Sequence, residues 1–140
     1  MSKHDAVERL QSIPMFAELS SRELKRVSKL MTQIEVREGR DLTTEGEVGR
    51  EFMIIVEGSA VVRRKGRKIA ELGPGDFFGE LAVLSGEPRN ATVTAATPMT
   101  LEALNRREFM SLLDEEPKIA KKVLLGAVKR LQEVESSKTS

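Results

Sequence analysis

The chain has no cysteine, no tryptophan and no tyrosine, and one histidine in 140 residues. Without cysteine it can form neither a disulfide nor a thiolate metal site, and it is compatible with a reducing compartment. The cytoplasm is the expected location. His4 stands in the polar stretch Met1-Ser2-Lys3-His4-Asp5 and reads as solvated. Metal centres are built from several such groups, so a metal-dependent, cupin-like enzyme is disfavoured and no metal ligand is expected. Five phenylalanines are the only aromatics, which leaves little for stacking a base on an aromatic platform. No apolar run reaches bilayer length, and the N-terminus has no signal-peptide core, so no membrane partner is expected. Charge of one sign is also missing. The balance of 23 basic and 22 acidic residues, net +1, gives no support for a nucleic-acid or membrane surface.

What is present fits one globular domain. The length suits a single domain spanning 1–140, and 39% hydrophobic with 32% charged residues suits a folded core. A chain of this size buries about two-thirds of its unfolded surface. Asp5-Ala6-Val7-Glu8 signals a first helix, which Pro14 stops. Ser20-Ser21-Arg22-Glu23 is a second capping box, with Leu19 and Leu24 placed to close a hydrophobic staple. Leu24, Val27, Leu30 and Met31 continue one face of that helix.

Short strand patterns follow at 34–37, 41–44, 52–56, 60–64, 67–72, 91–95 and 99–104. Lys65-Gly66 is a tight hairpin signal between two of them. The cations Arg63, Arg64, Lys65, Arg67 and Lys68 straddle this hairpin tip, where such charges are usually solvated and blunt a strand edge. Many short strands separated by turns argue a sandwich or barrel. Asn105 can cap a helix bearing Phe109, Leu112 and Leu113, and Pro117 suits the first turn of a last helix. That helix carries an apolar stripe of Ile119, Val123, Leu124, Ala127, Val128 and Leu131, broken by Gly126. Residues 136–140 read as a disordered tail.

The stretch that carries chemistry is Phe77-Phe78-Gly79-Glu80-Leu81-Ala82-Val83-Leu84-Ser85-Gly86-Glu87-Pro88-Arg89-Asn90-Ala91-Thr92. Gly79 opens a very short helix over roughly 80–84, and Ser85-Gly86 closes it. Free backbone N–H groups at a helix start favour an anion, and a glycine admits it closely. Arg89 offers a planar fork of donors suited to phosphate. Glu80 would repel a bare phosphate, but an ionised carboxylate accepts a hydrogen bond from a neighbouring hydroxyl. Acids hold ribose hydroxyls in this way in dinucleotide folds. Together these residues describe a phosphate beside a ribose hydroxyl.

The segments Phe78-Gly79-Glu80-Leu81-Ala82 and Pro88-Arg89-Asn90-Ala91-Thr92 resemble the phosphate-binding cassette of the cyclic nucleotide-binding domain family. Leu10 to Phe16, Ile54-Ile55-Val56-Glu57-Gly58 and Leu72-Gly73-Pro74-Gly75-Asp76 look like further family landmarks, so the resemblance covers about 8–133. It implies a mainly β fold with flanking helices: an eight-stranded jelly-roll β-barrel with N-terminal and C-terminal helices. It implies no catalytic residue and a cyclic nucleotide ligand, cAMP first and cGMP second. By the same resemblance, Phe78, Gly79, Leu81 and Ala82 lie near the ligand, Glu80 meets the ribose 2′-hydroxyl and Arg89 the cyclic phosphate. Ala91 and Thr92 would line the pocket.

Two departures stand out. Asn90 occupies a position where the family often has Ala for cAMP or Thr for cGMP. No winged helix-turn-helix follows, so no DNA-binding domain is expected. The expectation is a regulatory binding module. Its C-terminal helix would use Val123, Leu124, Val128 or Leu131 to pack its own domain, cover the base, or pair with an unknown protein or a second copy. The competing expectation is a jelly-roll interaction domain that has lost nucleotide binding.

Overall fold

Strands that sequence pattern leaves scattered are gathered by the tertiary structure into two sheets. The computed structural model describes the backbone of residues 3–49, 51–80 and 82–139, and the side chains of 6–49, 51–80, 83–129 and 132. It separates into two units, one of 1–30 with 108–140 and one of 31–107.

The 31–107 unit holds strands β1 (Met31–Val36), β2 (Asp41–Thr43), β3 (Glu51–Glu57), β4 (Ala60–Arg64), β5 (Arg67–Leu72), β6 (Phe77–Phe78), β7 (Thr92–Ala95) and β8 (Met99–Asn105). They form two four-stranded antiparallel sheets, ordered β1-β8-β3-β6 and β2-β7-β4-β5. Inward side chains from both sheets make one core of Val36, Met53, Ile55, Ala60, Val93, Ala95, Met99, Leu101 and Ala103. Alternation along β7 and β8 places every second residue there, as a pleated strand requires. Each fully buried Val, Leu, Ile or Met side chain in such a core contributes about 1.5–3 kcal/mol.

β6 is the strand that the pattern does not show. It has only two residues, too few for a period, and it exists because Met53 and Ile54 of β3 pair with Phe78 and Phe77. The preceding turn anchors it: the Gly75 and Ile55 amides donate to the Ile55 and Asp76 carbonyls, each at 2.9 Å. The hairpin between β4 and β5 turns where expected. Lys65 and Gly66 both take left-handed φ values, +53° and +79°, which match the right-handed twist of the strands.

The other unit contains α1 (Lys3–Gln11), a 3-10 turn (Pro14–Phe16), α2 (Ser21–Ser28), most of α4 (Arg106–Glu115) and α5 (Pro117–Thr139). The capping box forms as expected: the Ser20 hydroxyl accepts from the Glu23 amide while the Glu23 carboxylate accepts from the Ser20 amide. α2 ends at Ser28, however, so Leu30 and Met31 do not extend its face; Met31 is recruited to β1, opposite Leu104. Phe16 meets Phe109 edge to face at 5.8 Å. Lys122 of α5 and Glu116, the residue between α4 and α5, pair with Glu23 and Arg26 of α2, each at 2.6 Å. The Lys122 bond comes first among the causes that hold the Glu23 carboxyl below its ordinary value.

Gly126 explains the break in the α5 stripe. A Cβ there would stand 2.6 Å from the Pro14 carbonyl oxygen and 2.7 Å from that of Met15. The helix and the 3-10 turn touch backbone to backbone. Ile119, Val123 and Ala127 are buried beside this contact, whereas Leu124, Leu125 and Val128 are exposed. The stripe is therefore two faces, only one of them covered within this unit; the Leu131 side chain lies outside the described residues. Among the described residues no helix is long and apolar enough to cross a membrane.

Candidate functional site

Arg89 is the residue around which the local structure is built. Its backbone pairs with the loop after β2: the Arg89 amide donates to the Glu47 carbonyl and the Gly46 amide to the Arg89 carbonyl, both at 2.8 Å. Val48 and Pro88 form an isolated antiparallel bridge beside them. Its side chain lies between two glycines. A Cβ on Gly49 would stand 1.7 Å from Arg89 Nε, and a Cβ on Gly79 would stand 2.2 Å from a terminal guanidinium nitrogen. Both positions therefore need glycine. Gly79 needs it twice, because its φ is +82°.

The other terminal nitrogen of Arg89 donates to the Glu51 backbone carbonyl. Nε is buried and has no hydrogen-bond partner among the described residues. Burial lowers the Arg89 pKa, and the Glu51 charge works in the opposite direction. An arginine does not lose its proton in a protein, so a half-buried guanidinium keeps its charge and favours a nearby anion. A cavity of about 300 Å³ borders it, with Thr43, Glu47, Gly49, Glu51 and Met53 in its wall. That is the lower end of the range for small-molecule sites.

The structure thus brings Gly79 and Arg89 together from positions ten residues apart in sequence. Gly79 also begins the short turn: the Val83 amide donates to its carbonyl at 3.0 Å, and regular helix α3 runs Ala82–Ser85, slightly later than the pattern suggests. Arg106 holds the far end of this turn, donating to the Leu84 carbonyl at 3.3 Å and lying against Gly86. Glu80 is buried, at 7% exposure. Phe78 is half-buried and packs on the inter-sheet core. Leu81 lies outside the described residues, as does the Ala82 side chain. Ala91 is buried, and its carbonyl accepts from the Thr43 hydroxyl at 3.2 Å. The Thr92 hydroxyl accepts from the Glu45 amide at 2.9 Å. Asn90 is exposed, and Glu80 and residues 90–92 are not part of the cavity lining.

The partners of Arg89 are not legible in the sequence. Gly46, Glu47 and Gly49 act through backbone groups or through lacking a side chain, and Glu51 accepts through its backbone carbonyl, so these contacts carry no chemical signature. The only hint was two glycines within four residues at Gly46 and Gly49, with no strand pattern to explain the second.

The description "Cyclic nucleotide-binding domain" belongs to the family model that matches residues 33–116. A cyclic nucleotide-gated potassium channel of Rhizobium etli is 37% identical over 119 residues, covering 85% of this chain and 33% of the channel. A cAMP-dependent protein kinase regulatory subunit of Yarrowia lipolytica is 38% identical over 106 residues, covering 74% of this chain and 28% of the subunit. The chain thus spans about a third or less of these relatives. A crystal structure of a cyclic nucleotide-binding domain from Methylobacillus flagellatus superposes with a TM-score of 0.80 at 27% identity, covering 96% of this chain and 79% of that one.

Proposed function

Because the chain belongs to the cyclic nucleotide-binding domain family, we propose that it is a regulatory module that binds a cyclic nucleotide, cAMP before cGMP, and catalyses nothing. The observation that carries this is the half-buried Arg89 guanidinium, seated between Gly49 and Gly79 beside a small cavity, with a buried Nε that has no hydrogen-bond partner among the described residues. A singly charged cyclic phosphate matches that charge and size. Glu80 accepts the ribose 2′-hydroxyl, and the Gly79, Leu81 and Ala82 backbone approaches the phosphate. Phe78, Asn90, Ala91 and Thr92 complete the site, Asn90 by offering both a donor and an acceptor to either purine. The kinase regulatory subunit among the relatives favours cAMP as the first ligand to test.

The module acts in the cytosol, with which a chain free of cysteine is compatible. Exposed Leu124, Leu125 and Val128 on α5 favour pairing with another protein or a second copy of this chain.

Titration calorimetry with cAMP, cGMP and AMP tests the proposal. The wild type should bind cAMP, and ligand at about 100 times its dissociation constant should add about 2.7 kcal/mol to stability. Losing one partner of a desolvated charged pair costs about 2–5 kcal/mol. Arg89→Ala should therefore weaken cAMP at least about tenfold and leave the ligand-free fold intact. Absence of binding to any cyclic nucleotide by the wild type would refute the proposal.

A further inference from the structure

Every residue from Arg89 to Thr92 is tied down by contacts other than the one the Arg89 side chain makes to the Glu51 carbonyl. Gly46 and Glu47 hold both backbone groups of Arg89, and the Thr43 hydroxyl holds the Ala91 carbonyl. The Glu45 amide holds the Thr92 hydroxyl. The Asn90 carbonyl is taken by a residue from elsewhere: Arg64, at the tip of the β4–β5 hairpin, donates to it through Nε at 3.1 Å. The same tip is also gripped by Glu45, whose carboxylate accepts from the Lys65 amide at 2.9 Å.

The tip needs such a grip. Lys65 holds a left-handed φ of +53° despite its Cβ. Arg63 faces Lys68 across the strands and Arg64 faces Arg67, and like charges directly opposed are destabilising. A freely solvated tip would splay these cations apart. Here Arg64 turns onto Asn90 instead, and Glu45 bridges the tip to the strand that leaves the site.

We infer that Glu45 and Arg64 are positioning residues: with the hairpin tip they form a clasp that fixes Arg89 without touching the ligand. The inference rests on Arg89 as the phosphate contact. Its consequence is that the basic hairpin has a role in the site and is more than a solvated edge.

The test compares Glu45→Ala, Glu45→Gln, Arg64→Ala and Arg67→Ala by cAMP calorimetry, each in the wild-type and in an Arg89→Lys background. One lost hydrogen bond corresponds to roughly two- to tenfold in affinity, and that weakening is expected for Glu45→Ala and Arg64→Ala. Glu45→Gln keeps an acceptor for the Lys65 amide and should restore binding. Arg67→Ala removes the same charge from the same tip and should leave binding unchanged. Charge alone predicts the reverse for Glu45→Ala, since deleting an acid should tighten an anionic ligand. In the Arg89→Lys background the losses should shrink, because the clasp acts through the guanidinium.

Full-sized losses in both backgrounds, or an equal loss for Arg67→Ala, would overturn the inference. Amide exchange at Arg89 gives a readout that needs no ligand. It should quicken in Glu45→Ala and Arg64→Ala, and unchanged exchange overturns the clasp whatever the calorimetry shows. A wild type that binds no nucleotide but shows the quickened exchange would refute the proposed ligand and leave the clasp standing.

Discussion

Replacing Gly49 with alanine separates the site from the fold. Gly49 has an ordinary φ, so an alanine meets no backbone strain there. Its Cβ would nevertheless stand 1.7 Å from Nε, 2.2 Å from Cζ and 2.5 Å from a terminal nitrogen of Arg89. Ordinary contact begins near 3.4 Å, so the guanidinium must retreat by roughly 1.7 Å. The Arg89 backbone cannot follow easily, because Gly46 and Glu47 hold it through two 2.8 Å hydrogen bonds. The side chain yields instead and abandons the Glu51 carbonyl.

In the ligand-free protein two small effects oppose each other. Loss of the Glu51 bond costs about 0.5–1.5 kcal/mol. Removing a glycine from the unfolded chain returns about 0.4–1 kcal/mol. The melting temperature should therefore move by less than about 4 °C. Phosphate binding has no such offset. A misplaced charge-assisted contact is worth about 1.5–3 kcal/mol, so cAMP affinity should fall by roughly ten- to a hundredfold.

Gly79→Ala makes the contrast. Its φ of +82° and a backbone oxygen of Glu51 at 2.8 Å from the new Cβ should lower stability as well as affinity. The assay is scanning calorimetry without ligand and titration calorimetry with cAMP. If Gly49→Ala binds cAMP within about twofold of the wild type while Arg89→Ala does not, side-chain placement is not what Gly49 protects.

If Glu80 accepts the 2′-hydroxyl, 2′-deoxy-cAMP should bind more weakly than cAMP by about 1.5–3 kcal/mol, and calorimetry on Glu80→Ala should find the two ligands equal. Gly126→Ala reverses the usual helix expectation. Alanine normally stabilises a helix by about 1 kcal/mol over glycine, but here it collides with two carbonyl oxygens and should cost about 1–3 kcal/mol in urea unfolding. Glu23 sets an acid limit. Its folded pKa is lowered from 4.5 by the bond to Lys122, so its contribution is complete above that value and is lost as pH falls through the folded pKa. Lys122→Ala should flatten the acid limb of stability against pH, and an unchanged limb would show that the pair does not matter.

Much of this molecule is legible because it is local. The Ser20–Glu23 capping box, the Lys65-Gly66 turn and the Pro117 helix start each depend on a few adjacent residues, and each forms where the pattern places it. The two cassette segments are legible for another reason: composition, order and spacing match a known family, and the family model agrees over residues 33–116. That agreement identifies the family. It does not by itself place side chains.

Sequence alone therefore determined the Ser20–Glu23 capping box, the Lys65-Gly66 turn, most of the strands and the pairing of Gly79 and Glu80 with Arg89 in one motif. Tertiary structure decided what depends on partners distant in the chain. β6 exists because β3 offers an edge to a two-residue segment. Met31 became strand because Leu104 was opposite it, although its spacing suited a helix. Gly49 and Gly126 are required by what lies against them, a guanidinium in one case and two carbonyl oxygens in the other. A glycine's missing side chain has no pattern to detect, and only the approach of a second segment turns that absence into a constraint.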